Sequence, residues 1–338
     1  MKNNWTYVLD GCIDTDLGIL LDIHGTRAAN FCNGTFAFVA YHPIVGMVVA
    51  RDIMGVAPLY LGIVITAEGV ETWFASTMKG VEHCDWSSSF PRGTVFNGSS
   101  YSILPQPRIR RGNLFNLLRS VVEQYLNIEV PWGVILSGGV NSSIIASLTR
   151  FCDRPKGYPM LHTFTIGLVG SKNTAAARLI AKELNAIHHE VLFTLQEGIQ
   201  AITTVIDTIE SADKTTIQKG VPLYILAKYI RKCGVKVVLS GLGAEEIFSL
   251  SNKRYTGCIV NKCFASQGIA CRVPFLDTSV VHLADKCIDP MEMKQIFKNC
   301  VPKEVLLSAT NKQWIRACEA YGEHRYELIF NTLYPKNI

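Results

Sequence analysis

The chain has 338 residues, of which 48% are hydrophobic and 18% charged, and its formal net charge is +5. This length suggests two domains, and the composition excludes a disordered chain. The small, dispersed positive charge gives no reason to expect binding to nucleic acid. No run approaches the ~18 apolar residues of a membrane span, and the N-terminal stretch MKNNWTYVLDGC lacks an apolar signal segment. We therefore expect a cytoplasmic protein that does not bind a membrane, with its eleven cysteines reduced.

The first third of the chain predicts an antiparallel β-sheet. Short apolar runs bounded by glycine and proline occur at 35–41, 47–50, 59–66 and 73–75. Such short spacing is typical of hairpins, which join antiparallel strands. The segment PQPR at 105–108 is typical of a linker. We therefore expect residues 1–107 to form a first, β-rich domain.

From Asn113 onward, helical and strand patterns alternate. Asn113 can cap a first helix, and Thr194 with Glu197 forms a capping box that opens a helix to about residue 210. The remaining patterns predict strands at 134–137, 162–168, 190–193 and 235–239, and helices at 141–150, 174–185 and 221–232. This alternation predicts an α/β domain over 113–338, with a parallel sheet covered by helices on both faces.

Two strand–glycine–helix segments carry the main functional signal. In VILSGGVNSS (134–143), a strand enters a glycine turn that can wrap an anion, and the next helix directs its positive end there. In KVVLSGLGAEEIF (236–248), a second strand ends at Ser240-Gly241. Either segment alone is explained nearly as well by a structural turn. Together, at strand ends of one parallel sheet, they predict two walls of a nucleotide phosphate site.

Two other clusters are not expected to bind a metal. Cys258, Cys263 and Cys271 have irregular spacing and no well-placed histidine, so buried free thiols are the preferred interpretation. His188 and His189 are interpreted as part of a connection between a helix and a strand, and adjacent strand residues would point to opposite faces.

Segment 134–277 resembles the ATP-dependent synthetase domain of glutamine-hydrolysing asparagine synthetases, whose pyrophosphate loop has the form SGGxDSS. LHTFTIGL, DKTTIQKGVPLYILAKYI and RVPFLD are similar to further segments of that domain, and ARDIMGVAPLY (50–60) is similar to the later part of the glutaminase domain. The resemblance implies an adenine-nucleotide α hydrolase-like parallel sheet, preceded by a partial Ntn-type glutaminase antiparallel β domain.

The family resemblance also implies a reaction and its site. ATP and Mg²⁺ would activate aspartate as an aspartyl-adenylate, and ammonia, free or released from glutamine, would displace AMP. The ATP and pyrophosphate ligands implied by position are Leu136, Ser137, Gly138, Gly139, Asn141, Ser142, Ile166, Ser240 and Gly241. Asp14 matches the aspartate that holds the ammonium group of glutamine, and Asn141 and Glu245 occupy the metal positions.

Several functional positions of the family carry different residues in this chain. Asn141 and Glu245 stand where the family has aspartates, which is expected to weaken Mg²⁺ binding. Leu242 replaces the glutamate of SGEG and cannot transfer a proton from ammonia. Gln218 replaces an arginine, and Thr310, within SATN, replaces the lysine that meets pyrophosphate. These replacements are expected to remove much of the electrostatic stabilisation of the reaction.

The N-terminus also departs from the family pattern. The glutaminase nucleophile is a cysteine at mature position 1, whereas this chain begins Met1-Lys2 and lacks the RHRG and NGE motifs. We therefore expect glutaminase activity to be lost. An incomplete glutaminase sheet would expose apolar surface, so we expect either aggregation or a partner that covers it, such as a second copy or an intact relative.

Two functions therefore remain open. The first is an asparagine synthetase-type ligase without glutaminase activity. The second is a catalytically impaired pseudoenzyme or truncated copy that binds nucleotide or pairs with an intact synthetase, and the coincidence of replacements favours it. A relative that closes β-lactam rings is disfavoured by LHTFTIGL and HHEVLFT, and a Rossmann dehydrogenase by the missing GxGxxG motif.

Overall fold

The computed structural model describes residues 4–105, 113–153, 160–169, 174–248, 257–287 and 322–334. The chain forms two compact units. The N-terminal unit contains the described residues up to 105 together with Leu276–Leu283. The C-terminal unit contains the described residues from 113 to Phe275 and from Ala284 onward. Among the described helices, none has the length and apolar character needed to cross a membrane.

The N-terminal unit is built on two antiparallel sheets. Their strands are β1 (Thr6–Ile13), β2 (Gly34–His42), β3 (Gly46–Arg51), β4 (Tyr60–Thr66), β5 (Gly69–Ala75), β6 (Trp86–Ser89), β7 (Thr94–Phe96) and β8 (Tyr101–Ile103). The strand orders are β1-β2-β3-β7-β8 and β5-β4-β6, with every pairing antiparallel. The predicted antiparallel architecture is confirmed.

Strand β2 is apolar on both faces because each face packs against a different layer. On one face, Phe36 and Phe38 lie in a core shared with helix α1 (Leu17–His24), which Asp16 caps through Ile19 N at 3.1 Å. On the other face, Ala37 packs in a core with residues of the second sheet region. Successive side chains of a strand point to opposite faces, so β2 contributes to both cores.

Apolar side chains remain exposed on both sheets of the N-terminal unit. Val8 lies on the edge strand β1 and is 74% exposed. Ile65 and Val70 face each other across β4 and β5 and are 71% and 68% exposed. Isolated exposed apolar residues are ordinary, but a facing pair on a sheet is the kind of surface that another chain can cover.

The C-terminal unit is built on a five-stranded parallel sheet with helices around it. Its strands, in spatial order, are β11 (Ile187–Phe193), β10 (His162–Leu168), β9 (Trp132–Ile135), β12 (Val237–Ser240) and β13 (Ala270–Arg272). Its helices are α2 (Leu114–Leu126), α3 (Val140–Leu148), α4 (Thr174–Glu183), α5 (Leu195–Ile209), α6 (Lys214–Lys232), α7 (Ala244–Phe248), α8 (Gly257–Ala265) and α10 (Glu323–Leu333). Helix α9 (Thr278–Cys287) begins within the segment assigned to the N-terminal unit. All four strand pairings are parallel, as predicted.

Some predicted boundaries differ from the observed ones. The interpretation of His188 and His189 as a connection was wrong, because both lie inside β11, which begins at Ile187. The helix predicted from residue 221 begins at Lys214, because Asp213 caps it by accepting from Thr216 N at 2.8 Å. The capping box of Thr194 and Glu197 is present in α5.

Candidate functional site

The candidate site lies where the order of the parallel sheet reverses. Strands β9, β10 and β11 follow one another in one direction, whereas β12 and β13 lie on the other side of β9. Neighbouring strands β9 and β12 place Ile135 opposite Ser240. In open parallel sheets, ligands bind beyond the carboxyl ends of the strands at such a reversal. The two Ser-Gly segments therefore follow the two strands that border this crevice.

Serine hydroxyl groups hold the loop that follows β9. The Ser142 hydroxyl accepts from Ser137 N at 3.2 Å, lies 2.9 Å from Ser137 Oγ and donates to Gly139 O at 3.0 Å. Gly138 has φ of +79°, a conformation that favours glycine. The loop is thereby shaped by contacts among its own residues.

Helix α3 begins directly after this loop and directs its N-terminus toward the crevice. Gly139 is its N-cap, and the first turn contains no acidic residue. Ser143 in the first turn of α3 donates its hydroxyl to Gly139 O at 2.6 Å. Its place four residues after Gly139 in a helix could have indicated this bond. An uncompensated helix N-terminus with glycine N–H groups favours an anion.

The two loops meet at Gly241. A Cβ atom at this position would lie 2.4 Å from Ser142 N, 2.5 Å from Ser142 Cα and 2.6 Å from the carbonyl carbon of Asn141. These are backbone atoms and leave no room for a side chain. The structure thus brings Ser240 and Gly241 against the start of α3, and only glycine permits this approach.

Leu136 and Ile166, two of the residues assigned to the nucleotide, differ in exposure. Leu136 is fully buried, and its N–H donates to Phe164 O at 2.7 Å. Ile166 is half-buried in β10, where it pairs with Val191 in the register of β11. The side chain of Ile166 is therefore the more accessible of the two.

Leu242 belongs to the hydrophobic interior and not to a polar site. Its half-buried side chain packs against the core of the C-terminal unit, while its N–H donates to Ser240 Oγ at 3.2 Å. Gln218 is half-buried in α6. Thr310 lies outside the described residues. The side chain of Leu242 itself therefore offers no group that could accept a proton from a nucleophile.

The residues at the two metal positions lie at the starts of two helices. Asn141 is in the first turn of α3, and Glu245 is exposed in the first turn of α7. Throughout the described ranges, no group of three or more His, Cys, Asp or Glu side chains is placed to hold a metal ion. An amide oxygen and one carboxylate suit Mg²⁺ only where nucleotide phosphates supply further oxygen ligands.

The candidate glutamine residue, Asp14, lies in the N-terminal unit. Its carboxylate accepts from Asn33 Nδ2 at 2.7 Å and from Asn33 N at 3.4 Å. A cavity of about 180 Å³ has Asn33, Cys32 and Phe36 among its lining residues. Burial, with Asp14 nearby, raises the pKa of Cys32 to about 12, so its thiol stays protonated. An ammonium group bound at Asp14 would have to share this carboxylate with Asn33.

The cysteine cluster of α8 and β13 has the properties of buried thiols. Burial raises the pKa of Cys263 to about 12, and burial also raises the pKa of Cys271. Metal binding requires thiolates, which such surroundings disfavour. The Cys263 thiol instead contacts Gly220 O at 3.6 Å.

Comparison with known proteins identifies two family regions. The model described as asparagine synthase matches residues 113–257, and that described as glutamine amidotransferase domain matches residues 4–83. Asparagine synthetase [glutamine-hydrolyzing] of Sandersonia aurantiaca is 34% identical over 318 residues, covering 82% of this chain and 60% of its own length. Asparagine synthetase B of Escherichia coli K12 is 31% identical, with coverages of 82% and 58%. Asparagine synthetase 1 of Saccharomyces cerevisiae is 32% identical, with coverages of 89% and 64%.

These relatives are longer than the region that aligns with them. The chain spans 58% to 64% of the length of the three relatives named above. Among solved structures, NMN synthetase from Francisella tularensis covers 67% of this chain and 84% of its own, at 17% identity and a TM-score of 0.35. The relationship of this chain to the family therefore rests on the sequence relatives and on both family models.

Proposed function

The chain belongs to the glutamine-hydrolysing asparagine synthetase family, and from that premise we propose that the crevice between its two Ser-Gly loops binds ATP. The observation that carries this proposal is the close approach of Gly241 to the backbone of Asn141 and Ser142. It supports a single site with two glycine walls at the reversal of a parallel sheet. A nucleotide phosphate chain is the anion that suits such a site.

Each element of the crevice has a proposed task. The first loop, from Ser137 to Ser142, binds phosphate oxygens through backbone N–H groups at the start of α3, with its serine hydroxyls holding the loop in shape. Ser240 with Gly241 forms the opposite wall. Ile166 contacts the adenine. Asn141 and Glu245 hold Mg²⁺, which neutralises phosphate charge when it is bound. The neutral loop and the helix N-terminus of α3 supply the remaining attraction for the triphosphate.

The proposed reaction is the activation of aspartate. Its β-carboxylate oxygen bonds to the α-phosphorus of ATP, and the bond from that phosphorus to the bridging oxygen breaks, releasing pyrophosphate. Ammonia then bonds to the carbonyl carbon of the aspartyl-adenylate, AMP leaves with the electron pair, and the nitrogen loses a proton. Because Leu242 is apolar and packs on the core, it cannot take that proton. We therefore propose that amide formation is impaired.

A second candidate is a nucleotide-binding protein without turnover. The absence of an acidic residue from the first turn of α3 favours this candidate, because it leaves Glu245 as the sole carboxylate of the two proposed metal ligands. ATP would then bind through the loops without being correctly placed for adenylate formation. Regulation or assembly would be the role of such a site.

The two candidates differ in a pyrophosphate exchange experiment. ATP binding is measured first by calorimetry with Mg²⁺. We expect Ser142→Ala to weaken it, whereas Thr203→Ala, at an exposed position of α5, should leave it unchanged. Exchange of labelled pyrophosphate into ATP that depends on aspartate supports the ligase. Binding without exchange supports the second candidate, and the double variant Asn141→Asp with Leu242→Glu tests whether charge restores the reaction. A folded protein that does not bind ATP overturns both.

We also propose that another chain, a second copy or an intact relative, covers the exposed apolar pair Ile65 and Val70. Their positions on adjacent strands of one sheet support this proposal. Light scattering of the purified protein tests it. We expect a concentration-dependent dimer, which the double variant Ile65→Thr with Val70→Thr dissociates. A monomer that captures no intact relative contradicts the proposal.

A further inference from the structure

A pair of histidines joins two neighbouring strands at the opposite end of the sheet from the nucleotide crevice. His162 is the first residue of β10, and His189 is the third residue of β11. The Nδ1 atom of His162 lies 3.0 Å from Nε2 of His189. His162 and His189 lie on the same face as Phe164, because Phe164 pairs with His189 in the strand register.

The ring of His189 is held in one orientation. It stacks on Phe164 with ring centroids 4.7 Å apart and an interplanar angle of 15°. Its Nδ1 lies 3.4 Å from the hydroxyl of Tyr229 on α6. A hydrogen bond at one ring nitrogen fixes the tautomer and directs the lone pair of the other nitrogen, as second-shell groups do for metal-binding histidines. Nε2 of His189 therefore faces Nδ1 of His162.

Burial favours the neutral, uncharged form of both rings. Burial lowers the pKa of His162. Burial also lowers the pKa of His189, assisted by the adjacent His162 and His188. Neutral imidazole is a ligand for divalent transition metals, whereas imidazolium is not.

We propose that His162 and His189 form a two-histidine site for a late first-row divalent ion, Cu²⁺ or Ni²⁺. At 2.0–2.1 Å from a common ion, two nitrogens 3.0 Å apart subtend an angle of about 90–97°. This angle is that of neighbouring ligands in square-planar or octahedral complexes and is narrower than the tetrahedral angle. Water completes the coordination. When the ion binds, the proton between the two nitrogens transfers through water to the other nitrogen of the ring that carried it, so both imidazoles remain neutral.

His188 provides a matched comparison on the same strand. It points to the other face of the sheet, where its Nδ1 lies 2.9 Å from Thr163 Oγ1. Its Nε2 is 4.0 Å from Glu190, whose carboxylate is occupied by Arg178 at 2.5 and 2.9 Å. His188 is therefore a histidine next to His189 in the chain that has no second histidine nitrogen opposite its own ring.

The experiment titrates the full chain with Cu²⁺ and with Ni²⁺, using calorimetry for affinity and electron paramagnetic resonance of the Cu²⁺ complex for the ligands. We expect one ion per chain and a hyperfine pattern from two imidazole nitrogens. His189→Phe, which retains a ring on Phe164, and His162→Gln are each expected to weaken binding at least tenfold. His188→Gln is expected to leave binding unchanged.

Three results would overturn the site. One is a spectrum with fewer than two nitrogen ligands in the unaltered protein, which does not depend on any variant folding. Another is equal weakening by His188→Gln and His189→Phe. The third is binding that survives both His162→Gln and His189→Phe in chains whose circular dichroism shows that they are folded.

Discussion

Two turns that follow strands in this molecule are held by side-chain oxygens of different charge. After β3, the buried carboxylate of Asp52 accepts from Phe36 N, Val56 N and Ala57 N at 3.1–3.2 Å. After β9, the corresponding acceptors are neutral hydroxyls, with Ser142 Oγ 3.2 Å from Ser137 N. In both turns, a side-chain oxygen accepts hydrogen bonds from backbone N–H groups.

The difference shows what a binding loop requires. A buried carboxylate organises several N–H groups strongly, but it also places a negative charge where an anion would have to approach. Hydroxyls hold a loop more weakly and leave its N–H groups and the helix N-terminus electrostatically favourable for phosphate. The carboxylate turn is therefore suited to the scaffold, and the hydroxyl loop to the proposed nucleotide site.

Removal of the carboxylate is the largest expected disruption. Asp52→Ala leaves three buried N–H donors without their acceptor, so we expect unfolding free energy to fall by about 4 kcal/mol. Asp85→Ala is the control, because the exposed Asp85 side chain accepts a single hydrogen bond among the described residues, from Ile65 N at 2.8 Å. We expect Asp85→Ala to lower the free energy of unfolding by about 1 kcal/mol or less. Urea titration measures both variants. Equal losses in the two variants would show that the buried turn does not specially depend on the acceptor oxygens of Asp52.

The second disruption separates the two loops of the crevice. Gly241→Ala places a methyl group 2.4 Å from Ser142 N, so we expect a loss of about 3 kcal/mol and failure to bind ATP. Gly139→Ala is the stability control, because its φ is −84° and the nearest atom is Ser137 Oγ at 3.5 Å. A Gly241→Ala protein as stable as the control would mean that the loops separate at little cost.

The dependence of stability on pH distinguishes the charged turn from the neutral one. Burial raises the pKa of Asp52 to about 6, with N–H bonds and Arg51 opposing the shift. The folded state therefore binds this proton more tightly than the unfolded chain, whose pKa is near 3.8. The stabilisation that this bound proton gives to the folded state is fully present below pH 4. As the pH rises through 6 it is lost, and the free energy of unfolding falls by roughly 2–3 kcal/mol.

Asp52→Asn provides the control for this pH dependence. The amide keeps an acceptor oxygen and does not titrate, so we expect a flatter stability profile between pH 4 and 7 than in the unaltered protein. Urea midpoints across that range give the comparison. An unchanged slope in the variant would assign the dependence to other groups.

The smallest expected effect lies within the neutral loop. Ser142→Ala removes an acceptor for Ser137 N and a donor to Gly139 O, and we expect a loss of about 1–2 kcal/mol. Ser240→Ala removes one acceptor, for Leu242 N, and should cost about 1 kcal/mol or less. Urea titration measures both, and a reversed order would place the support of the crevice in the second loop.

Local patterns predicted several elements well because their determinants lie within the elements themselves. The strand predicted at 162–168 has the same bounds in the structure. It could be predicted because a run of apolar and threonine residues forms a strand that is buried on both faces. The capping box of α5 is a short-range contact and is also present as predicted. Parallel pairing followed from the alternation of strands and helices.

The elements that sequence did not predict depend on distant parts of the chain. Strand β1 is an edge strand whose residues are exposed or half-buried, so it shows no clear apolar alternation. Helix α6 has few buried residues before Val221, so its first part lacked an apolar face. In the site, the burial of Leu136 and the approach of Gly241 arise from neighbouring strands and cannot be obtained from either loop alone.

The contact at Gly241 has a consequence for how this site can change over generations. Its nearest atoms belong to the backbone of residues 141 and 142, not to the side chain at 141. The contact between the two walls of the crevice thus does not depend on the side chain at position 141. A charge at that position can be gained or lost by mutation while the walls stay joined. The same separation makes this chain a starting scaffold for engineering, in which side chains can be replaced without rebuilding the loops.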